Sequence, residues 1–300
     1  MVNWSPQQSA ALEKVAHWHR AYQRDRGQQV FRMFGFAGTG KTTLARLLAA
    51  EVGGLTCFAA FTGKAALMMR RNGCEDASTI HALIYQVEER DEGSVRIVLD
   101  RESAASKAEL IVIDECSMVD EELGRDLLSY GRPILVLGDP AQLPPVRSAG
   151  FFTEAEPDVM LTEIHRQAEG NPIIQLATTV RTGGRIELGE YGNSRVVERG
   201  VLSPDDVLSA DQILVGKNVT RNSYNRRIRK LRGFEDPLPE VGDRLVCLRN
   251  DKPLGIFNGG LFNVTEVLHR RSRGECIVMM VESEDFPNRA PMEVKVRKEF

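Results

Sequence analysis

Three short stretches of the 300-residue chain carry residue types whose spacing could do phosphate chemistry. The first is GFAGTGKT, Gly35 to Thr42, which fits G-x-x-x-x-G-K-[ST]. Gly35, Gly38 and Gly40 would let backbone amides, including those of Thr39 and Thr43, approach phosphate oxygens. Lys41 would hold the β- and γ-phosphates, and the Thr42 hydroxyl would ligate Mg²⁺. The second is LIVIDE, Leu110 to Glu115, an apolar run ending in two adjacent acids. Asp114 there suits Mg²⁺, and Glu115 suits orienting or deprotonating an attacking water. The third is GDPAQLPPV, residues 138–146, in which an apolar strand gives way to Asp139, Gln142 and two prolines. Beside a nucleotide, an uncharged amide can bond the γ-phosphate or the lytic water and so report hydrolysis. Pro144 and Pro145 would stiffen the segment that carries the report. Each stretch also has an ordinary reading: a glycine turn, a solvated acidic turn, a loop amide.

These residues need a scaffold that brings strand ends together. SPQQSAALEKVAHWHRAY has Ser5 as N-cap and Pro6 at the first helical position. QVFRMFGF alternates like a strand and runs into the glycine-rich turn, after which TTLARLLAAEV reads as a helix stopped by Gly53 and Gly54. LTCFAAF, LIVIDE and PILVLGD are further apolar strands, alternating with helical stretches such as GKAALMMRRNG and DEELGRDLLSY. Strands of that kind separated by helices predict a parallel α/β sheet covered on both faces, with ligands at the carboxyl ends of its strands.

Residues 86–107 turn charged and predict a small hairpin-like insertion around the strand VRIVL. TGGRIELGEYGNS reads as a connector, and DQILVGKN as a resumed buried strand of a second α/β unit beginning near residue 170. Beyond Pro237, short alternating segments and the turn Asn258-Gly259-Gly260 predict a small β module.

Composition is that of a soluble chain: 42% hydrophobic, 27% charged, formal net charge −3. No global basic field advertises nucleic acid, although a local groove can be basic on an acidic protein. Five scattered cysteines without a Cys-x-x-Cys pair argue against a disulfide framework or a structural zinc site and favour a reducing compartment. The sequence has neither a signal layout nor an apolar run long enough to span a bilayer, so a cytoplasmic protein without membrane contact is expected. On the phosphate-loop and strand-end acids alone, kinases, GTPases, AAA+ machines and helicases all remain open.

The motifs taken in order resemble the superfamily 1 DNA helicases of the RecD-like and Dda-like branch, across roughly residues 5–265. SPQQSAAL resembles the Q motif, which implies that Gln8 reads adenine. GFAGTGKT, VIDE and GDPAQLPPV resemble motifs I, II and III, which makes Gln142 the γ-phosphate sensor. LTEIHRQ resembles motif IV and gives Arg166 to the γ-phosphate, where a guanidinium suits transition-state charge. FTGKAA and STIHAL resemble motifs Ia and Ib. The family places these loops opposite the nucleotide, so Thr62, Lys64, Thr79 and His81 are the expected single-strand contacts. The insertion occupies the place of the strand-separating pin, without its usual aromatic tip. TRNSYNRRIRKLR, Thr220 to Arg232, sets six basic residues on a helix, either a solvated face or a strand-contacting one. The β module is similar to the family's SH3-like insertion. Motifs V and VI do not occur before Phe300, as in a fragment or a short relative.

The resulting expectation is a P-loop α/β protein in three parts. Residues 1–168 form a first RecA-like domain, 169–236 the start of an incomplete second, and 237–300 the SH3-like module. The resemblance implies an ATP- and Mg²⁺-dependent 5′→3′ helicase on single-stranded, forked or tailed DNA. It implies a monomer, working in a bacterial cell or a phage-infected host, with single-stranded DNA-binding or replication and repair proteins as possible partners. The alternative is a nucleotide-switched DNA-binding module that does not unwind.

Overall fold

The computed structural model describes residues 4–89, 95–143, 150–163, 170–251, 253–269 and 276–297. Arg166 and the Pro144-Pro145 pair lie outside the described residues. The chain divides into two compact units, Met1–Gln175 and Leu176–Phe300.

The first unit opens with helix α1 (Pro6–Asp25), where Ser5 caps the N-terminus and shares a reciprocal capping box with Gln8. Ala11, Val15, Trp18 and Tyr22 recur at helical spacing and are buried, so one stripe of α1 faces the core. Strand β1 (Val30–Gly35) runs into the glycine loop, and helix α2 (Lys41–Val52) leaves it. Next come β2 (Thr56–Ala60), α3 (Gly63–Arg71), β3 (Ser78–Thr79) and α4 (Ile80–Ile84). Strands β4 (Tyr85–Glu89) and β5 (Val95–Leu99) pair antiparallel as a hairpin, with Tyr85 opposite Leu99. The short helix α5 (Ala104–Lys107) closes the stretch predicted as an insertion, yet Ala105 and Ala108 are fully buried in the main core. Then follow β6 (Leu110–Asp114), α6 (Glu121–Leu128), β7 (Ile134–Gly138) and β8 (Val159–Leu161).

The main sheet has six parallel strands in the order β3-β2-β6-β7-β1-β8. Strands β6 and β7 are buried on both faces, which is why they read as continuous apolar runs rather than alternating ones. Two clusters sandwich the sheet. One holds Trp18, Phe31, Leu44 and Leu48, and the other Phe34, Ile80, Ile84, Cys116, Leu123 and Phe152. Each such aliphatic or aromatic side chain contributes on the order of 1.5–3 kcal/mol on burial. Because every strand of a parallel sheet points the same way, the segments following β1, β2, β3, β6 and β7 all emerge at one carboxyl edge.

Helix α7 (Pro172–Arg181) crosses the boundary between the units. The second unit contains a two-stranded pair, β9 (Gly189–Tyr191) with β10 (Ser194–Val196), then helices α8 (Pro204–Leu208) and α9 (Asn218–Leu231). An antiparallel sheet follows, with β11 (Arg244–Val246), β12 (Leu261–His269), β13 (Cys276–Ser283) and β14 (Met292–Arg297) in sequential order. Its core is Ile256, Phe262, Val264, Ile277, Met279 and Val281. Arg229 of α9 anchors to the segment before β11, donating to both carboxylate oxygens of Asp243 and to the carbonyls of Asp236 and Leu238. One of the six basic residues of Thr220 to Arg232 is therefore structural.

The buried strand expected at DQILVGKN is not there. Residues 211–217 carry no strand, and Leu214 is 87% exposed. An apolar strand persists only where neighbours pair its edges and cover its faces. Among the described residues, the second unit has no parallel sheet to do so.

Candidate active site

The glycine loop is shaped by close approach and by left-handed backbone. A Cβ on Gly35 would stand 2.7 Å from Leu161 Cβ and 2.8 Å from both Leu161 O and Thr39 Oγ1, closer than real contacts allow. Gly38 and Gly40 have φ of 80° and 83°, a region L-residues seldom adopt. Thr39 is fully buried and closes the turn, its hydroxyl donating to Phe36 O at 2.9 Å. Lys41 Nζ donates to the carbonyls of Gly35 (2.7 Å) and Phe36 (3.0 Å), so the ammonium is already held over the loop. Thr43 lies in the first turn of α2, whose N-terminal amides and positive dipole end face the same loop.

The strand-end acids meet the loop directly. Thr42 Oγ1 donates to Asp114 Oδ2 at 2.8 Å, joining the start of α2 to the tip of β6. Asp114 Oδ1 accepts the backbone amide of Glu115 at 2.9 Å. Glu115 then takes φ 54°, ψ 45°, a left-handed conformation unusual for a residue with a side chain. Its carboxyl is pushed above the ordinary glutamate range, chiefly by burial and next by the negative charge of Asp114. Lys41 opposes that rise and Asp139 adds to it. Glu115 therefore feels all three of these charges.

Strand β7 lies between β1 and β6, so its end opens between the loop and the acids. Asp139 is 2% exposed and builds the turn that follows, its Oδ1 accepting Ala141 N and its carbonyl accepting Gln142 N, each at 3.0 Å. Gln142 itself is exposed. Behind the turn, a Cβ on Gly138 would sit 2.7 Å from Cys116 Sγ. The residue after the expected base thus packs against the strand that carries the expected sensor.

Gln8 is 3% exposed, and its amide is engaged at both ends: Oε1 accepts Ser5 N, and Nε2 donates to Thr39 O, each at 3.0 Å. It braces the glycine loop from α1. Its neighbour Gln7, overlooked in the sequence, ties the same helix to β8 and the residues beyond it. Its Oε1 accepts the amides of Thr162 and Glu163, and its Nε2 donates to Met160 O. Asp139 was also given no role. A consecutive glutamine pair at a helix start and an acid at a strand end were the available signals.

The residues expected to touch a single strand gather at the ends of β2 and β3. Thr62 caps α3 by accepting Ala65 N (3.1 Å), and Thr79 caps α4 by accepting Ala82 N (3.2 Å). Lys64 lies in the first turn of α3. His81 is exposed, its ring 6.1 Å from that of Phe61 and 5.6 Å from that of Tyr85. The loops that carry these residues follow β2 and β3, three and four strands away from β1 in the sheet. They share the carboxyl edge with the glycine loop, one and two strands beyond β6, hence roughly 5 and 10 Å sideways at ordinary strand spacing. Parallel strands leave no other place for them.

The arrangement fits a nucleoside triphosphate with Mg²⁺. The loop bars side chains at Gly35, and the paired hydroxyl and carboxylate of Thr42 and Asp114 are the hard oxygen donors that Mg²⁺ takes. No cluster of three or more His, Cys, Asp or Glu occurs among the described residues. No described helix is long and apolar enough to cross a membrane.

Known proteins resemble this chain in sequence and in fold. A family model described as an AAA domain matches residues 3–200. The ATP-dependent RecD2 DNA helicase of Deinococcus radiodurans is 32% identical over 294 residues, covering 86% of this chain and 38% of that protein. The ATP-dependent DNA helicase dda of Enterobacteria phage T4 is 33% identical over 164 residues, 50% of this chain and 37% of that protein. The chain thus spans less than two fifths of the length of these relatives. Among solved structures, the Bacteroides Pif1 helicase in complex with ADP-AlF3 and ssDNA superposes with TM-score 0.57 at 21% identity, over 99% of this chain and 75% of that one. Pif1 helicase from Candida albicans gives 0.51 at 19%, over 99% and 78%. At such identity the likeness speaks for the fold.

Proposed function

Since the chain belongs to the AAA-domain family, among the superfamily 1 helicases related to RecD2, Dda and Pif1, we propose that it hydrolyses ATP to move along single-stranded DNA. We infer 5′→3′ movement and separation of forked or tailed duplex from the same kinship. The observation that carries the reading is the Thr42–Asp114 bond, which unites the phosphate loop and the strand-end acids in one pocket.

Lys41 and the loop amides bind the triphosphate, and Gln8 holds that loop in place through its bond to Thr39 O. Thr42 and Asp114 are the groups that would hold Mg²⁺, which when bound neutralises charge building on the phosphates. Glu115 aligns the attacking water and takes its proton; burial makes it a stronger base than a solvated carboxylate. Gln142, beyond β7, senses the γ-phosphate from the first unit. Arg166 supplies a cation to the same phosphate, and its loss on hydrolysis releases the strand-gripping state. Thr62, Lys64, Thr79 and His81 grip the strand, mainly at phosphates, because a motor must pass over any sequence. The same kinship suggests a monomer of the bacterial or phage cytoplasm that meets replication and repair proteins there.

The test is ATP hydrolysis with Mg²⁺, in the presence and absence of oligodeoxythymidylate. Stimulation by the oligonucleotide is expected. Hydrolysis indifferent to DNA overturns the motor, and binding without stimulation favours a switched binding module.

A further inference from the structure

The residue joining the strand-binding edge to the catalytic turn is Tyr85. Its hydroxyl donates to Asp126 Oδ2 at 2.5 Å, across from β4 to α6. Its ring lies 5.6 Å from that of His81, at a tilt of 45°. Helix α6 is the first helix after Glu115. A short turn over Cys116–Met118 separates them, and Asp120 caps the helix by accepting Leu123 N. Cys116, Val119, Leu123 and Leu127 share one buried cluster with Ile80 and Ile84 of α4. The strand-edge helix and the helix following the catalytic turn are therefore one packed body, and interiors at native density transmit displacement.

The hairpin β4–β5 hangs from the same point. A lone two-stranded hairpin is marginal in water, and beyond its first pair this one stands in solvent, with Val87 and Ile97 exposed. Its base is clamped twice to the end of α6. Tyr85 bonds Asp126, and Tyr130 donates its hydroxyl to Asp100 O (2.7 Å), with Ile84 O 3.1 Å away. Arg101 adds a bond to Ser129 Oγ. Both ends of the hairpin thus report to the helix that continues from Glu115.

We propose that the Tyr85–Asp126 bond is a positioning device that couples single-strand occupancy at His81 to the geometry of the Glu115 turn, and so sets how strongly DNA stimulates hydrolysis. The coupling rests on the proposed function. A strand seated at His81 moves the Tyr85 ring, Tyr85 carries Asp126 with it, and α6 shifts the turn that aims Glu115. Without the hydroxyl the ring still packs, but the pull on α6 is lost.

The experiment uses the whole chain and oligodeoxythymidylate. Tyr85→Phe keeps the ring and deletes the bond; Asp126→Ala deletes it from the other side. Both variants, and the double variant, are expected to keep basal hydrolysis and oligonucleotide affinity within about twofold of the parent. The ratio of DNA-stimulated to basal hydrolysis should fall about fivefold or more, in the range of ordinary coupling between sites. The double variant should lose no more than either single one, because all remove the same interaction. A bond that merely anchored the hairpin would lower the melting temperature and leave the stimulation ratio unchanged. That outcome, or additive losses in the double variant, overturns the proposal. A parent protein that DNA does not stimulate removes the proposed function and this coupling with it. A stimulated parent with unaffected variants removes only the coupling.

Discussion

The hydroxyl of Thr42 and the carboxylate of Asp114, separated by seventy-two positions in sequence, are bonded at 2.8 Å. The bond ties the first turn of α2 to the tip of β6, and both partners are the expected Mg²⁺ ligands. Thr42→Ala should lower Mg²⁺-dependent hydrolysis and cost about 1 kcal/mol of stability, as for an ordinary lost hydrogen bond. Thr42→Ser should preserve both. Urea denaturation beside ATP turnover checks the pair, and a Thr42→Ala protein with full turnover would remove Thr42 from the metal site.

Glu115→Gln should separate binding from chemistry. The amide keeps the size of the side chain but cannot accept a proton, so turnover should fall by about 10²–10⁴ with nucleotide affinity retained. Stability should not suffer. A raised carboxyl pKa means that folding disfavours the charged form, a cost present above the folded pKa and relieved as pH falls through it. The neutral amide escapes that cost at pH 7. Loss of affinity together with turnover would count against Glu115 as the base.

Gly35→Ala should damage the loop from beneath. The new Cβ would meet Leu161 Cβ at 2.7 Å and two oxygens at 2.8 Å, and one of those oxygens is a backbone atom that cannot swing aside. A loss of roughly 1–3 kcal/mol is expected, as for overpacking elsewhere, along with weakened ATP binding. An alanine variant with parental denaturation midpoint and affinity would show that the loop tolerates the methyl.

Gln142→Ala should leave the fold intact, because the side chain is exposed and the turn is built by Asp139 instead. If Gln142 senses the γ-phosphate, DNA stimulation of hydrolysis should drop more than ATP affinity does. Retained stimulation would make it a loop amide.

Lys64→Ala should weaken single-strand binding similarly on several oligonucleotides and flatten its dependence on salt by about one counterion. Thr62→Ala has a second effect, since Thr62 caps α3, and about 1 kcal/mol of stability should go with it. Salt titrations of affinity on oligonucleotides of different base order check the first, and thermal melts the second. A strong base preference would contradict a phosphate grip.

Local pattern by itself determined the phosphate loop, the acidic strand end, the capped first helix and the parallel class of the main sheet. Loop glycines, N-caps and apolar runs bear on backbone conformations within a few residues, and such constraints can be read in order along a chain. Tertiary structure decided what depends on non-local pairing. It set β7 between β1 and β6, so that Asp139 and the Gln142 turn open onto the pocket. It turned the Gln8 amide into a brace on Thr39 and gave Gln7 a role. It put the residues expected to touch a single strand on the same edge as the glycine loop. It also left DQILVGKN without a sheet, because an apolar run states a wish for burial but not whether a neighbour exists to grant it. The bond between Tyr85 and Asp126 belongs to this second kind. Neither residue stands in a motif, and only packing of α4 and α6 into one core brings the phenol to the carboxylate.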